Sequence, residues 1–210
     1  TEAMGETAEN LAKKYSIPRA AQDAFAHSSQ QKAFVAQQSG RLDQEMHAVE
    51  LHSKNGTITL YKQDEFIKGN TSIETLSGLK PAFDKINGTV TAGNASGLND
   101  GAAAILLASE HAIQTHHLKP LARIVSSGVS GVEPSIMGIG PVPATAIALK
   151  RAGLKLDDMD LIELNEAFAA QVLSCLKEWN LTWNDPRLNP NGGAIALGHP
   201  LGMSGTRLLH

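Results

Sequence analysis

Hydrophobic and polar positions change rhythm several times along the chain, and each change predicts an element. Residues 1 to 40 read as helical. Thr7-Ala8-Glu9-Asn10-Leu11-Ala12-Lys13-Lys14 is rich in helix formers, Ser16-Ile17-Pro18 stops the run and restarts it with Pro near a first turn, and Gly40 closes the second helix. A period of two follows: Met46 to Leu51 and Thr57 to Tyr61 flank Asn55-Gly56, with Ile58 and Leu60 alternating with Thr57, Thr59 and Tyr61, which predicts a hairpin. Gly78 to Gly101 is turn-rich without a clear period and marks a domain edge. Strand and helix patterns then alternate. Ala102 to Ala108 reads as a strand buried on both faces, Ser109 to His117 as helix, Leu121 to Ser126 as strand, Pro143 to Ala152 as helix with Gly153 beyond its end, and Leu161 to Leu164 as strand. Glu166 to Trp179 is apolar nearly all round and predicts a buried helix; Asn191 to Leu197 reads as strand, and Gly202 opens a last helix. This alternation predicts a layered α/β domain.

Composition narrows the picture. The chain has 210 residues, 42% apolar, 19% charged and 4% aromatic, so Ala, Leu, Ile and Val make its core. Eighteen basic residues against 21 acidic ones give a net charge of −3, which supplies no electrostatic footprint for nucleic acid or an anionic membrane. No apolar run reaches the ~20 residues of a membrane span. The single cysteine, Cys175, excludes an internal disulfide and any cysteine-cluster metal site, and it fits a reducing, cytoplasmic setting. The other seven histidines (27, 47, 52, 111, 116, 117, 210) read as solvated, and no pair has metal-ligand spacing, so no metal is expected. The chain opens on Thr1-Glu2-Ala3 and stops inside a starting helix, which reads as part of a longer protein.

Three places put a polar group where a strand hands over to a helix, the usual location of α/β active sites. Asn165 follows a predicted strand, where its amide can fix a water or a carbonyl, or merely cap the next helix. His199, bracketed by Gly198 and Pro200, lies in a tight turn at a helix start; the dipole there favours the neutral ring, able to take a proton or hydrogen-bond an oxyanion, against the alternative of a structural turn histidine. Thr89 to Gly101 is a run of small residues against which a slender ligand arm can lie, with Ser96 and Asn94 offering hydrogen bonds, or else a loop that only turns. Met137-Gly138-Ile139-Gly140-Pro141-Val142-Pro143 lacks the third Gly of a dinucleotide fingerprint and excludes a nicotinamide site. Cys175 lies mid-helix with no cation beside it and reads as packed structure.

Taken together, Met4-Gly5 with Thr7-Ala8-Glu9-Asn10, Gln22-Asp23-Ala24-Phe25-Ala26, Leu79-Lys80-Pro81-Ala82-Phe83, Thr91 to Ala103, Met137-Gly138-x-Gly140-Pro141, Asn165-Glu166-Ala167-Phe168-Ala169 and Gly192 to Gly205 resemble the thiolase family of acetyl-CoA C-acyltransferases along essentially the whole chain. The resemblance implies a layered αβαβα fold. Residues 1–97 would belong to the coenzyme A-binding loop domain, 98–119 to the end of the N-terminal half, and 120–210 to the C-terminal half. It implies thiolytic cleavage of 3-oxoacyl-CoA to acetyl-CoA and a shortened acyl-CoA, or the reverse Claisen condensation, with coenzyme A as substrate, no bound cofactor, and a cytoplasmic homodimer or homotetramer. His199 matches the family's base and Asn165 its oxyanion-hole Asn. Ser96 matches the serine near the pantetheine arm; Phe83, Ala92, Met137 and Phe168 match tunnel positions; Met4 and, more weakly, Lys68 match coenzyme contacts. Ala3 stands where many relatives carry a His, which removes one such contact. The two catalytic cysteines have no counterpart: the resemblance places one before Thr1 and the other after His210, so these residues alone are expected to give no turnover, or a CoA-binding or oligomerisation module without chemistry. The Leu188 to Gly193 and Pro200 to Ser204 wording resembles degradative thiolases, including those for 3-oxoadipyl-CoA.

Overall fold

The computed structural model describes residues 2–210. Helix α1 (Met4–Lys14) opens with the Glu6 carboxylate accepting the Ala3 N–H at 2.7 Å, and carries Lys13 and Lys14 in its last turn, where they complement the helix dipole. Pro18 ends the connection and caps α2 (Arg19–Gln38), as its rigid φ suits a helix start. Both helices turn small residues inward, Ala8, Ala12, Ala26 and Ala33 among them, and so approach their neighbours closely. The predicted hairpin forms from β1 (Val49–His52) and β2 (Ile58–Tyr61), antiparallel with Leu51 opposite Thr59, and both strands are exposed.

After α3 (Ile73–Ser77) and α4 (Glu110–Thr115, capped by the Ser109 hydroxyl), α5 (Pro141–Ala152) ends at Gly153, whose φ of +69° terminates it as the sequence indicates. α6 (Ala169–Glu178) is the core helix, buried from Ala169 through Leu176. Around it gather Leu11, Phe25, Val90, Leu188 and Ile195. Fully burying one such side chain is worth about 1.5–3 kcal/mol.

Several expected elements take other forms. Ala102 to Ala108 is not a strand: no described strand lies beside it, and Leu106 is 81% exposed, so it lacks both the pairing and the cover that a doubly buried strand needs. Leu121 to Ser126 is irregular for the same reason, with Leu121 98% exposed. Leu161 to Leu164 is reduced to one parallel bridge between Ile162 and Leu188, continued by the Asn189 side chain, which accepts from Leu164 N–H and donates to Leu164 O, each at 2.8 Å. Asn191 to Leu197 is not a strand either. Gly192, at φ +77°, turns the chain, and the buried Glu166 carboxylate accepts the Ile195 N–H at 3.2 Å, which starts the helical turn α7 (Ala194–Leu197). The last helix, α8 (Leu201–Leu209), begins one residue earlier than expected, with Pro200 at its N-cap.

Candidate functional site

Two buried acids build the floor of the site. Glu9, on α1, accepts both backbone N–H groups of Thr89 and Val90 and the Thr89 hydroxyl at 2.8–3.0 Å. Asp23, on α2, is clamped by Arg19 and accepts the Asn94 amide at 2.9 Å; the Asn94 Oδ1 in turn accepts the Thr91 N–H at 2.8 Å. Held at both ends, the Thr89–Gly97 loop is laid along the entry to α6. Ser96 N–H donates to Ala167 O and Ala169 N–H to Asn94 O, both at 2.9 Å, with Ala95 and Phe168 forming an antiparallel bridge.

Those bonds settle the role of Asn165 in the fold. α6 starts at Ala169 with Phe168 as its N-cap residue, and its first amide is satisfied by the Asn94 carbonyl, so Asn165 caps nothing. Its Nδ2 instead faces His199 Nε2 at 3.4 Å, and its Oδ1 is buried without a partner among the described residues. His199 occupies the expected turn. Gly198 has φ +91°, and a Cβ there would overlap the Asn99 side chain, so glycine alone fits. His199 N–H donates to Gly97 O at 3.2 Å, joining the third motif to the second. Burial, and then the Arg207 guanidinium nearby, hold the His199 pKa below its ordinary value, which keeps the ring neutral near pH 7. The helix dipole invoked from sequence acts in the same direction.

Beneath the pair, Glu166 accepts the Ser29 hydroxyl at 2.6 Å and the Asn189 amide at 2.8 Å as well as Ile195 N–H. Burial pushes its carboxyl up while these donors pull it back. A Cβ at Gly193 would overlap that carboxylate.

The aromatic residues singled out from sequence meet: the Phe83 and Phe168 rings pack edge to face at 6.3 Å. Phe83 lies against Gly5, beside Met4, and stays 41% exposed. Met4 and Met137 are both exposed, Met137 on the 3₁₀ segment Pro134–Ile139 that packs on α1. Ala92 is exposed on the loop that carries Ser96. Lys68 is exposed, its backbone N–H donating to Gln30 at 2.7 Å and its ammonium lying 5.2 Å over the Phe66 ring, which covers Gly97. Cys175 is fully buried, donates to Gly138 O at 3.4 Å, and has its pKa pushed up to about 12 by burial; it is a packing thiol. Among the described residues no group of three or more His, Cys, Asp or Glu is placed to hold a metal ion, and no helix is long and apolar enough to cross a membrane.

Sequence reasoning assigned nothing to Ser204, although its hydroxyl lies 2.6 Å from His199 Nδ1. The available signal was spacing: Ser204 lies one helical turn beyond the His-Pro turn, on the face that looks back at it.

A loop of small residues, a buried helix entry and a Gly-His-Pro turn converge here on one Asn–His pair. The thiolase N-terminal domain family model matches residues 1–111 and the thiolase C-terminal domain model residues 118–210. The chain belongs to the thiolase family. It is 55% identical over 208 residues to an Escherichia coli (strain K12) 3-oxoadipyl-CoA/3-oxo-5,6-dehydrosuberyl-CoA thiolase, covering 99% of this chain and 52% of that protein. Among solved structures it is similar to the Bacillus anthracis acetyl-CoA acetyltransferase (TM-score 0.93, 46% identity, 98% of this chain and 51% of that one). It is likewise similar to human mitochondrial 3-ketoacyl-CoA thiolase in complex with CoA (TM-score 0.91, 50% identity, 98% and 50%). The fold is thus a thiolase-like α/β fold, and the chain spans about half the length of these relatives.

Proposed function

We propose that this chain carries the base and oxyanion-binding part of a thiolase-type acyltransferase, which cleaves a 3-oxoacyl-CoA with coenzyme A or runs the reverse condensation. The observation that carries this reading is the Asn165–His199 pair, 3.4 Å apart and bonded through Gly97 to the Ser96 loop. A neutral His199 takes the proton of the nucleophilic cysteine thiol, while a second cysteine, which the resemblance places after His210, moves the proton at the α-carbon. The Asn165 amide and the protonated ring then stabilise the oxyanion that forms in between. Met4, Phe83, Phe168, Met137, Ala92 and Ser96 line the approach of the pantetheine arm, and Lys68 serves the nucleotide end. The resemblance implies a cysteine nucleophile outside these 210 residues, and buried Cys175 does not replace it; on this reading these residues alone turn nothing over. The 55% identity to a 3-oxoadipyl-CoA thiolase supports a degradative 3-oxoacyl-CoA substrate. The whole protein is a homodimer or homotetramer on this reading, as the family resemblance implies.

The test is acylation of the full-length protein by 3-oxoacyl-CoA, followed by intact mass. His199→Ala should slow acylation by about 10²- to 10⁴-fold; an unchanged acylation burst removes His199 from the base role. A second reading is a CoA-binding module without chemistry, which rests on the groove around Ser96 and the exposed Phe83 ring. Calorimetric binding of CoA by a full-length protein that is never acylated would establish it.

A further inference from the structure

We propose that Ser204 is a positioning residue that fixes His199 in its Nδ1–H form and so keeps the basic lone pair on Nε2, facing Asn165. Two independent contacts lead there. The Ser204 Oγ is 2.6 Å from Nδ1 and 3.1 Å from the Pro200 carbonyl, the acceptor to which a serine in a first helical turn gives its hydroxyl hydrogen as a back-bond. Oxygen lone pairs are what remain for the ring, so Nδ1 donates. On the opposite edge the Asn165 Nδ2, a donor, faces Nε2, which therefore accepts. Ser204 is 4% exposed, so water does not compete for its hydroxyl. Because Pro200 O also accepts the Met203 and Ser204 amides at 2.9 and 3.0 Å, the serine rides on the first turn of α8 and sets the ring plane along with the tautomer.

The role follows the general logic by which a group behind a histidine selects which nitrogen works. Its catalytic consequence rests on the function proposed above, whereas the tautomer does not. The full-length protein is labelled with ¹⁵N-histidine, and His199 is identified by difference against His199→Ala. Long-range ¹H–¹⁵N correlation then reports which nitrogen carries hydrogen. Wild type should show Nδ1–H, Ser204→Ala should lose that preference, and Ser204→Thr, which keeps the hydroxyl, should restore it. In turnover, Ser204→Ala should lower kcat about 10- to 100-fold with KM for CoA unchanged, the size seen when a partner behind a functional histidine is removed, and Thr should recover most of it. A wild-type protein holding Nε2–H overturns the proposal even if Ser204→Ala fails to fold. So does a Ser204→Ala protein that keeps both Nδ1–H and full kcat. Nδ1–H in a wild-type protein without thiolase activity sinks the functional reading and leaves the positioning role intact.

Discussion

Replacing Asn94 with Ala tests whether the loop carrying Ser96 is held by its buried polar anchor. Asn94 is fully buried and makes three side-chain bonds: it accepts from Thr91 N–H and donates to Asp23 and to Thr89 O. Each such bond contributes about 1 kcal/mol net, and stranding the fully buried Thr91 N–H adds the desolvation penalty of an unpaired donor, about 1–3 kcal/mol. Asp23 keeps Arg19, which limits the loss on that side. The sum is about 3–5 kcal/mol, a large part of the roughly 5–15 kcal/mol that holds a domain together. Urea unfolding of the full-length protein, followed by circular dichroism, reads it directly. Asn94→Asp sharpens the test. It keeps the acceptor for Thr91 but puts a second carboxylate beside Asp23, which raises the pKa of one of the pair. A folded-state pKa raised above the unfolded value means stability that is present at low pH and lost as pH rises, so Asn94→Asp should be the worse variant at pH 7 and recover toward pH 4. An Asn94→Ala loss below about 1 kcal/mol, or an Asn94→Asp protein that gains stability with pH, would refute the anchor.

The His199 ring should titrate below its ordinary value of about 6.5, since burial and Arg207 both disfavour the imidazolium; Arg207→Gln should move the NMR titration midpoint back up, and a wild-type midpoint at or above 6.5 would contradict this. Cys175 should stay unmodified by iodoacetamide at pH 8 in the native protein and react in urea, as peptide mass spectrometry will report; native labelling at the rate of an open thiol would disprove its packing role. Gly5→Ala drives a methyl into the Phe83 ring, which is free to swing outward, so CoA affinity by calorimetry should weaken about 5-fold, equivalent to ~1 kcal/mol of lost ring contact, with little change in unfolding; unaltered affinity would take Phe83 out of the groove.

Elements stabilised by their own neighbours in the chain were legible in the sequence. α1, α2 and α5 carry their stop signals with them, in Pro18, Gly40 and Gly153, and the hairpin carries Asn55-Gly56. What depends on distant residues was not. Asn191–Leu197 has strand composition but becomes a helical turn because Glu166 caps it from another segment, and Ala102–Ala108 has strand composition but lacks a strand to pair with. In the site, His199 and Asn165 stand out locally as polar residues at backbone turns. The aromatic contact of Phe83 with Phe168 and the Ser204 bond to Nδ1 exist only once the chain has closed on itself.

The two backbone bonds between the Ser96 loop and the entry to α6 have a kinetic meaning. They link segments far apart along the chain, the kind of contact that forms late because loop closure comes first. They should therefore close after the helices they join, an order that pulsed hydrogen exchange at the Ser96 and Ala169 amides would read. The same two bonds are the shortest route to disassembly: a local opening that unzips them silences the site while the α6 core is still intact. On gentle heating, exchange protection of the Ser96 and Ala169 amides should fade before the helices melt, and it should return on cooling for as long as that core has held.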